Sequence, residues 1–255
     1  MKRDVQHFFE LLWGMTEKEL CARYKYTAFG FLWMVANPIL QMLIIGFVFT
    51  FFMKEPVEHY YYYLFIGLLV WNFFSLSLTK ATPSIVYERA LIKKALFPRV
   101  VIPLSIILSN FIHFIIAFAL FFVPLSFIGT FSFARLSYLI NGMGFLLIFT
   151  IGTCLLACAL NVRFRDINFF VQAILVIWFY ATPVIYSLSQ MPHRILWLWR
   201  LNPMTSVLQL FQFALLGAPG PGPAMLASNI GVTILVAAFG ILIFRDESRY
   251  FDDWV

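Results

Sequence analysis

The sequence predicts an all-α membrane protein with six transmembrane helices. Of its 255 residues, 62 % are hydrophobic and only 12 % are charged, which is about half the charged fraction of a typical soluble domain. The mean hydropathy is +0.87, and several apolar stretches reach the roughly 20 residues that a helix needs to cross a bilayer. We therefore interpret residues 1–255 as a single transmembrane domain.

The first segment, residues 4–26, predicts a helix that lies in the membrane interface. Phe8, Leu12 and Trp13 recur at helical spacing on one face, and charged residues such as Glu10 and Glu17 occupy the opposite face. A helix with this pattern lies parallel to the membrane with its apolar face among the lipid headgroups.

Six apolar segments predict the transmembrane helices. They lie at about residues 28–53, 60–79, 100–128, 136–162, 167–187 and 224–244. Pro38 lies early in the first segment and predicts a kink or a break there. None of the six contains Asp, Glu, Lys or Arg, and we interpret His113 in the third as a packed, hydrogen-bonding residue.

Two short helices are predicted between the fifth and sixth segments, at about residues 193–216. Asn202 is a typical N-cap, Pro203 suits the first helical position, and Gly217 suits the end of the second helix. About 14 residues are too few to cross a bilayer. We therefore expect a re-entrant or interfacial pair on the outer face of the membrane.

The distribution of cations predicts the orientation. If the N-terminus is cytoplasmic, 14 of the 18 Lys and Arg residues lie on the cytoplasmic side and 4 on the other. Cytoplasmic loops carry the excess of Lys and Arg in membrane proteins. The sequence therefore predicts a multi-pass protein of the cytoplasmic (inner) membrane with both termini in the cytoplasm.

One cytoplasmic stretch, residues 84–97, is called the basic segment below. It combines charged and apolar residues at helical spacing: Glu88, Arg89, Lys93 and Lys94, with Leu91, Ile92, Leu96 and Phe97. Each charge at bilayer depth would cost about 2.5–3.5 kcal/mol, so the segment must lie in water. It predicts a short amphipathic helix, ended by Pro98, that another protein binds. The alternative is a basic loop that only fixes the orientation.

The chain lacks the chemistry of an enzyme or a self-powered pump. It has no Gly-Lys dipeptide, which excludes a Walker A loop, and no paired acids, metal-ligand cluster or nucleophile–base set. We predict no cofactor on this chain, so energy must come from a partner that binds ATP and Mg²⁺. The cations are scattered at membrane edges, which argues against a nucleic-acid partner.

Aromatic residues make up 19 % of the chain. Sugar rings stack on aromatic rings, and tyrosine adds a hydroxyl group for hydrogen bonding. We take five residues in the spans or at their outer ends as candidates for a substrate path: Tyr60, Tyr62, Trp71, Trp178 and Tyr180. The alternative is that they anchor the helices among lipids and pack against other apolar side chains. A homodimer would bring twelve helices around one axis and make room for such a path.

Several motifs resemble the permease subunits of type 2 ABC exporters, in the branch that exports O-antigen, teichoic acid and other lipid-linked polysaccharides. Residues 19–33 and 37–41 are similar to the start of these permeases. Residues 91–98 resemble their first coupling helix, and residues 161–166, with Arg163, Arg165 and Asp166, resemble a second cytoplasmic contact. Residues 182–186 and 201–204 resemble the end of the fifth span and the short helices beyond it. The resemblance covers nearly the whole chain in order.

The resemblance implies a dimeric channel, gated on the outer side by the two short helices, with two ATPase subunits bound on the cytoplasmic side. It implies lipid-linked polysaccharide as cargo, but exporters of drugs and small amphiphiles share the six-span plan. A drug permease is therefore the second hypothesis. A non-transporting membrane enzyme or scaffold is the third, and the absence of catalytic groups argues against it.

Overall fold

The computed structural model describes residues 2–25, 32–52, 58–94, 97–126, 131–188, 191, 194 and 197–251. Within these residues the backbone is mostly helical and no strand occurs, which confirms the all-α prediction. The α-helices are α1 Lys2–Tyr24, α2 Leu32–Phe52, α3 Tyr60–Ala81, α4 Ser84–Tyr87, α5 Arg89–Lys94, α6 Val101–Ser126, α7 Leu136–Arg163, α8 Ile167–Ala181, α9 Pro203–Leu216 and α10 Pro223–Glu247.

Four helices of the described chain are long and apolar enough to cross a membrane. These are α3, α6, α7 with the short turn before it, and α10, which correspond to the second, third, fourth and sixth predicted segments. The apolar stretches of α2, α8 and α9 are shorter in this part of the chain. The helices of a multi-pass protein are therefore present, and the complete six-span layout stays a prediction.

The helix of the fifth predicted segment is shorter than expected. α8 ends at Ala181, whereas the segment was predicted to run to residue 187. Thr182 is extended, with φ −108° and ψ 138°, because the residue before Pro183 is driven out of the helical region. The 15 residues of α8 measure about 22 Å along the axis, less than the roughly 30 Å of a hydrocarbon core.

The proline of the first predicted segment does not interrupt its helix. α2 runs through Pro38 without a break.

α3 and α9 form the centre of the bundle. α3 packs against α2, α6, α7, α8 and α9, and its residues from Tyr63 to Trp71 are all buried. α9 is buried along nearly its whole length. Its ends are as predicted, because the side chain of Asn202 accepts a hydrogen bond from the backbone N–H of Met204 at 3.2 Å and Gly217 ends the helix at φ +71°. The short helix predicted before α9 lies partly outside the described residues, and a 3-10 turn, Leu198–Leu201, precedes Asn202.

α7 and α10 cross at backbone contact. A Cβ atom on Gly240 would overlap the carbonyl oxygen of Gly152, and a Cβ atom on Gly152 would lie 2.6 Å from the Cα of Ala237. Small residues at such a crossing let two membrane helices approach closely and gain dispersion contacts. α10 is otherwise largely exposed, so this crossing is its main attachment to the bundle.

α1 packs along α6 and exposes apolar residues on its other side. Thr16 is fully buried, while Val5, Phe9 and Trp13 are exposed. An exposed apolar face of this kind is what an interfacial helix needs. The position of α1 in the membrane interface stays a prediction.

Candidate functional site

The basic segment folds as two short helices and not as the single helix that was predicted over residues 84–97. α4 and α5 meet at Glu88, which has φ −91° and ψ 21°. Helices this short have little stability of their own, so their contacts with the rest of the protein determine where they begin and end. Here the Glu88 carboxylate accepts a hydrogen bond from Lys18 Nζ of α1 at 2.7 Å, and Ile85 and Ile92 are buried.

The two isoleucines belong to an apolar cluster that joins the basic segment to the ends of three long helices. This anchor cluster consists of Ile85, Ile92, Ile102, Leu155, Cys158, Ala159, Val162, Phe244 and Phe251. It connects α4 and α5 with the start of α6, the second half of α7 and the end of α10. The basic segment is therefore fastened to the bundle through its apolar side.

The outward side of the basic segment is cationic. Its exposed charged residues are Arg89, Lys93 and Lys94. Leu91 is half-buried, and Phe97 is half-buried against the anchor cluster. Ile92 is only 4 % exposed, so it supports the segment from within and is not available as an anchor for a partner, contrary to expectation. Leu96 lies outside the described residues.

The second predicted cytoplasmic contact, residues 163–166, lies next to the same anchor cluster. Arg163, Arg165 and Asp166 are all exposed. Arg163 lies 3.7 Å from the Glu247 carboxylate of α10, and Val162 next to it belongs to the anchor cluster together with Ile92. The two cytoplasmic contacts predicted from the sequence are therefore attached to one apolar cluster.

The two candidate tryptophans are packing residues in this structure. Trp71 is 6 % exposed, and its ring lies 5.7 Å from Phe74 and 5.5 Å from Phe179 between centroids. Trp178 is half-buried and packs edge-on against Phe74 at 5.1 Å. The aromatic content of a sequence shows that many rings are present, but it does not show which of them face the core and which face an open surface. Within one chain, Trp71 belongs to the core and does not line an open surface, which corrects the expectation for this residue.

The three candidate tyrosines differ in exposure. Tyr180 is 62 % exposed on α8. Tyr60 and Tyr62 are half-buried: the Tyr60 hydroxyl donates to the carbonyl oxygen of Ile185 at 3.1 Å, and the Tyr62 ring lies 5.6 Å from that of Phe121. Of the five candidates, Tyr180 is therefore the most exposed, and its ring packs edge-on against that of Phe179 at 5.3 Å between centroids.

Asn202 does more than cap α9. Its Oδ1 also accepts a hydrogen bond from Trp178 Nε1 at 3.0 Å, and its Nδ2 donates to Thr182 Oγ1 at 3.0 Å. This one side chain therefore ties the start of α9 to the end of α8. The sequence predicted its capping role, and the two contacts with α8 and the turn after it were missed.

A polar cluster that the sequence analysis missed joins α1 to α6 and α3. The Arg23 guanidinium donates to Asn110 Oδ1 at 2.5 Å and contacts His113 Nδ1, and Asn110 Nδ2 donates to Ser77 Oγ at 3.1 Å. The cluster borders a cleft of about 450 Å³. Lys80 also lies within α3, because that helix continues to Ala81. The available signal was the pair Asn110 and His113, which share a helix face because they are three residues apart.

The described residues offer no other chemical centre. No group of three or more His, Cys, Asp or Glu side chains in them could hold a metal ion. Cys154 and Cys158 are buried and Cys21 is exposed, and all three are free thiols. The main chemical feature of the described residues is therefore the exposed charge of the basic segment and of residues 163–166, at one end of an apolar helix bundle.

A family model and individual proteins of known name both match this chain, and all of them are membrane transport proteins. A family model described as "ABC-2 type transporter" matches residues 10–216. The chain is 34 % identical over 213 residues to the O-antigen export system permease protein RfbA of Klebsiella pneumoniae, covering 82 % of this chain and 81 % of that protein. It is 33 % identical over 250 residues to the protein of the same name from Myxococcus xanthus, covering 96 % of each.

Proposed function

Since the chain belongs to the ABC-2 type transporter family, we propose that it is the transmembrane subunit of an ATP-driven exporter of lipid-linked polysaccharide. The cargo would be of the O-antigen or teichoic-acid kind and would move from the cytoplasm to the outer face of the membrane. The observation that carries this proposal is the similarity, over 81 % or more of their length, to relatives named O-antigen export permeases. The exposed ring of Tyr180 supports it, because a stacking surface suits a sugar chain.

The proposal assigns ATP hydrolysis to a separate subunit. Two copies of an ABC ATPase, which bind ATP and Mg²⁺, would dock on the exposed cations of the basic segment and on residues 163–166. No cofactor is assigned to this chain. The proposal puts the docking side and both termini in the cytoplasm, which the excess of cations supports, and it assigns the protein to the inner membrane.

The proposal also includes a homodimer. α8 buries only Val171 and Leu175 within the chain and exposes apolar and aromatic residues on most of its surface. A second copy of the chain would cover part of this surface and place the two α8 helices beside one path. The lipid of the bilayer would cover the rest.

The docking part of the proposal is tested by co-purification with the ATPase. We expect Leu91→Asp to lose most of the bound ATPase, because buried apolar anchors dominate interface energies. Lys93→Ala should weaken retention by less than tenfold, since charges at the edge of an interface contribute less. Ile92→Asp is unsuitable because Ile92 belongs to the anchor cluster.

Arg200→Ala is the matched control for the docking experiment, because Arg200 is exposed in the turn before α9, which the orientation places on the other side of the membrane. It should retain the ATPase at the wild-type level. Wild-type retention by Leu91→Asp, in protein that elutes as a folded species, would remove the basic segment as the docking site.

The cargo part is tested by Tyr180→Leu, which removes an exposed ring and keeps an apolar side chain. Aromatic contacts are individually worth about 1 kcal/mol, so we expect export of the glycan to slow by about fivefold, with lipid-linked glycan accumulating inside the cell. Phe239→Leu is the control, because Phe239 is equally exposed on α10. Normal surface glycan in the Tyr180 variant would contradict a stacking role, and retention of a small hydrophobic compound would favour the drug permease.

A further inference from the structure

A groove of about 690 Å³ opens between α6, α7 and α10 beside the anchor cluster. Its walls are apolar and include Leu104, Ile151, Leu155 and Ile241. Three arginines, Arg99, Arg245 and Arg249, also line it at one end. The groove therefore combines a long apolar part with a cationic end.

The groove lies in one half of the bundle, on the side of the anchor cluster. The α7–α10 crossing at Gly152 and Gly240 limits it in the middle of the bundle. Gly152 lies eleven residues before the end of α7 at Arg163, which is about 16 Å along the helix. The hydrocarbon core of a bilayer is about 30 Å thick, so the crossing lies about half a bilayer away from that end of α7, and the groove lies within this half.

The groove is open to the surrounding lipid. Ile241 on its α10 wall is 51 % exposed, and the neighbouring Leu242 is exposed as well. A water-soluble partner would reach the arginines but not Ile151 or Ile241, which lie within candidate spans. A ligand that fills the groove must therefore be a molecule of the membrane.

The charged residues among the described residues that line the groove are all arginines. Ile241 and Arg245 lie on α10, and Arg249 lies in the turn after it. Asp246 and Glu247 do not line the groove, and Glu247 lies beside Arg163 on α7. Arg99 donates a hydrogen bond to the backbone carbonyl of Ser248, which holds its guanidinium near the end of α10.

We propose that this groove is a binding site for one anionic phospholipid. An acyl chain lies against the apolar walls, and the phosphodiester lies between the guanidinium groups of Arg245 and Arg249, near Arg99. Guanidinium groups bind phosphate oxygens through paired, charge-assisted hydrogen bonds. Basic pockets between membrane helices are suited to anionic headgroups, and an amine-bearing zwitterionic headgroup offsets part of that attraction.

Native mass spectrometry of the detergent-purified full chain tests the proposal, with phosphatidylglycerol and phosphatidylethanolamine as the added lipids. We expect one phosphatidylglycerol per chain to be retained in preference to phosphatidylethanolamine. Arg245→Gln combined with Arg249→Gln should weaken phosphatidylglycerol binding about thirtyfold, since each cation near a phosphate-bearing surface contributes about 1 kcal/mol, which is about fivefold in affinity. The readout is independent of transport, so the proposed function can fail without affecting it.

Arg163→Gln combined with Arg165→Gln is the matched control, because it removes two cations from the same end of the molecule outside the groove. It should leave phosphatidylglycerol binding unchanged. Ile241→Trp fills the apolar part and should also lower retention of the lipid. Equal losses in the control and in the groove variant would show general attraction of anions, and unchanged binding in the groove variant would exclude the site. Either result overturns the proposal.

Discussion

Gly240→Leu is expected to prevent α10 from packing on α7 and to lower the yield of folded protein severely. The new Cβ would overlap the carbonyl oxygen of Gly152, which belongs to the backbone and cannot move aside as a side chain can. Overpacking usually costs about 1–3 kcal/mol, and a clash with backbone places this change at the upper end or above it. That is a large part of the roughly 5–15 kcal/mol that stabilises a typical protein. The measurement is the monodisperse fraction and the melting temperature in detergent.

Gly231→Leu provides the control on the same helix. A Cβ at Gly231 meets no atom within 4 Å, and leucine is a better helix former than glycine. This variant should melt at or slightly above the wild-type temperature. If the two leucine variants behaved alike, the close crossing of α7 and α10 would not be a determinant of stability.

Asn202→Ala is expected to lower the free energy of unfolding by about 3 kcal/mol. The change removes the N-cap of α9, which is worth about 1 kcal/mol. It also leaves Trp178 Nε1 without the acceptor that Asn202 supplies, and a buried polar group left unsatisfied costs about 1–3 kcal/mol. Thr182 Oγ1 loses one hydrogen bond and keeps the one to the carbonyl oxygen of Trp178. Thermal unfolding followed by near-UV circular dichroism measures the loss.

Two further variants separate the roles of Asn202. Asn202→Ser keeps a capping oxygen but is too short to serve the indole of Trp178, so its stability should be intermediate. Asn141→Ala makes the same truncation at an exposed position of α7 and should be neutral or slightly stabilising. Equal stability of the alanine and serine variants would mean that the contacts beyond the cap contribute nothing.

The parts of the fold that local signals determine were predictable from the sequence. The cap residue, proline and glycine of α9 act within a few residues of each other, so Asn202, Pro203 and Gly217 identified its ends. The early end of α8 was accessible in the same way, because Pro183 acts on the residue before it. Hydropathy alone does not show this end, because the residues after Pro183 are also apolar.

Local sequence signals could not predict features that depend on which other element a helix face packs against. An amphipathic pattern in the basic segment shows that two faces exist, but it does not show that Ile92 belongs to an apolar cluster with residues of α7 and α10 of the same chain. The same holds for Trp71, whose burial depends on Phe179 more than one hundred residues away. The contact of Arg23 with Asn110 likewise depends on the packing of α1 on α6.

The crossing of α7 and α10 also bears on how the chain is made. Sixty residues separate Arg163 at the end of α7 from Pro223 at the start of α10, so a ribosome completes α7 well before it begins α10. During that interval the surface around Gly152 and the α7 side of the anchor cluster have no α10 to cover them. Nascent α7 must therefore remain beside the insertion machinery or lipid until α10 is inserted, and assembly of the bundle is completed after synthesis of α10 and not helix by helix.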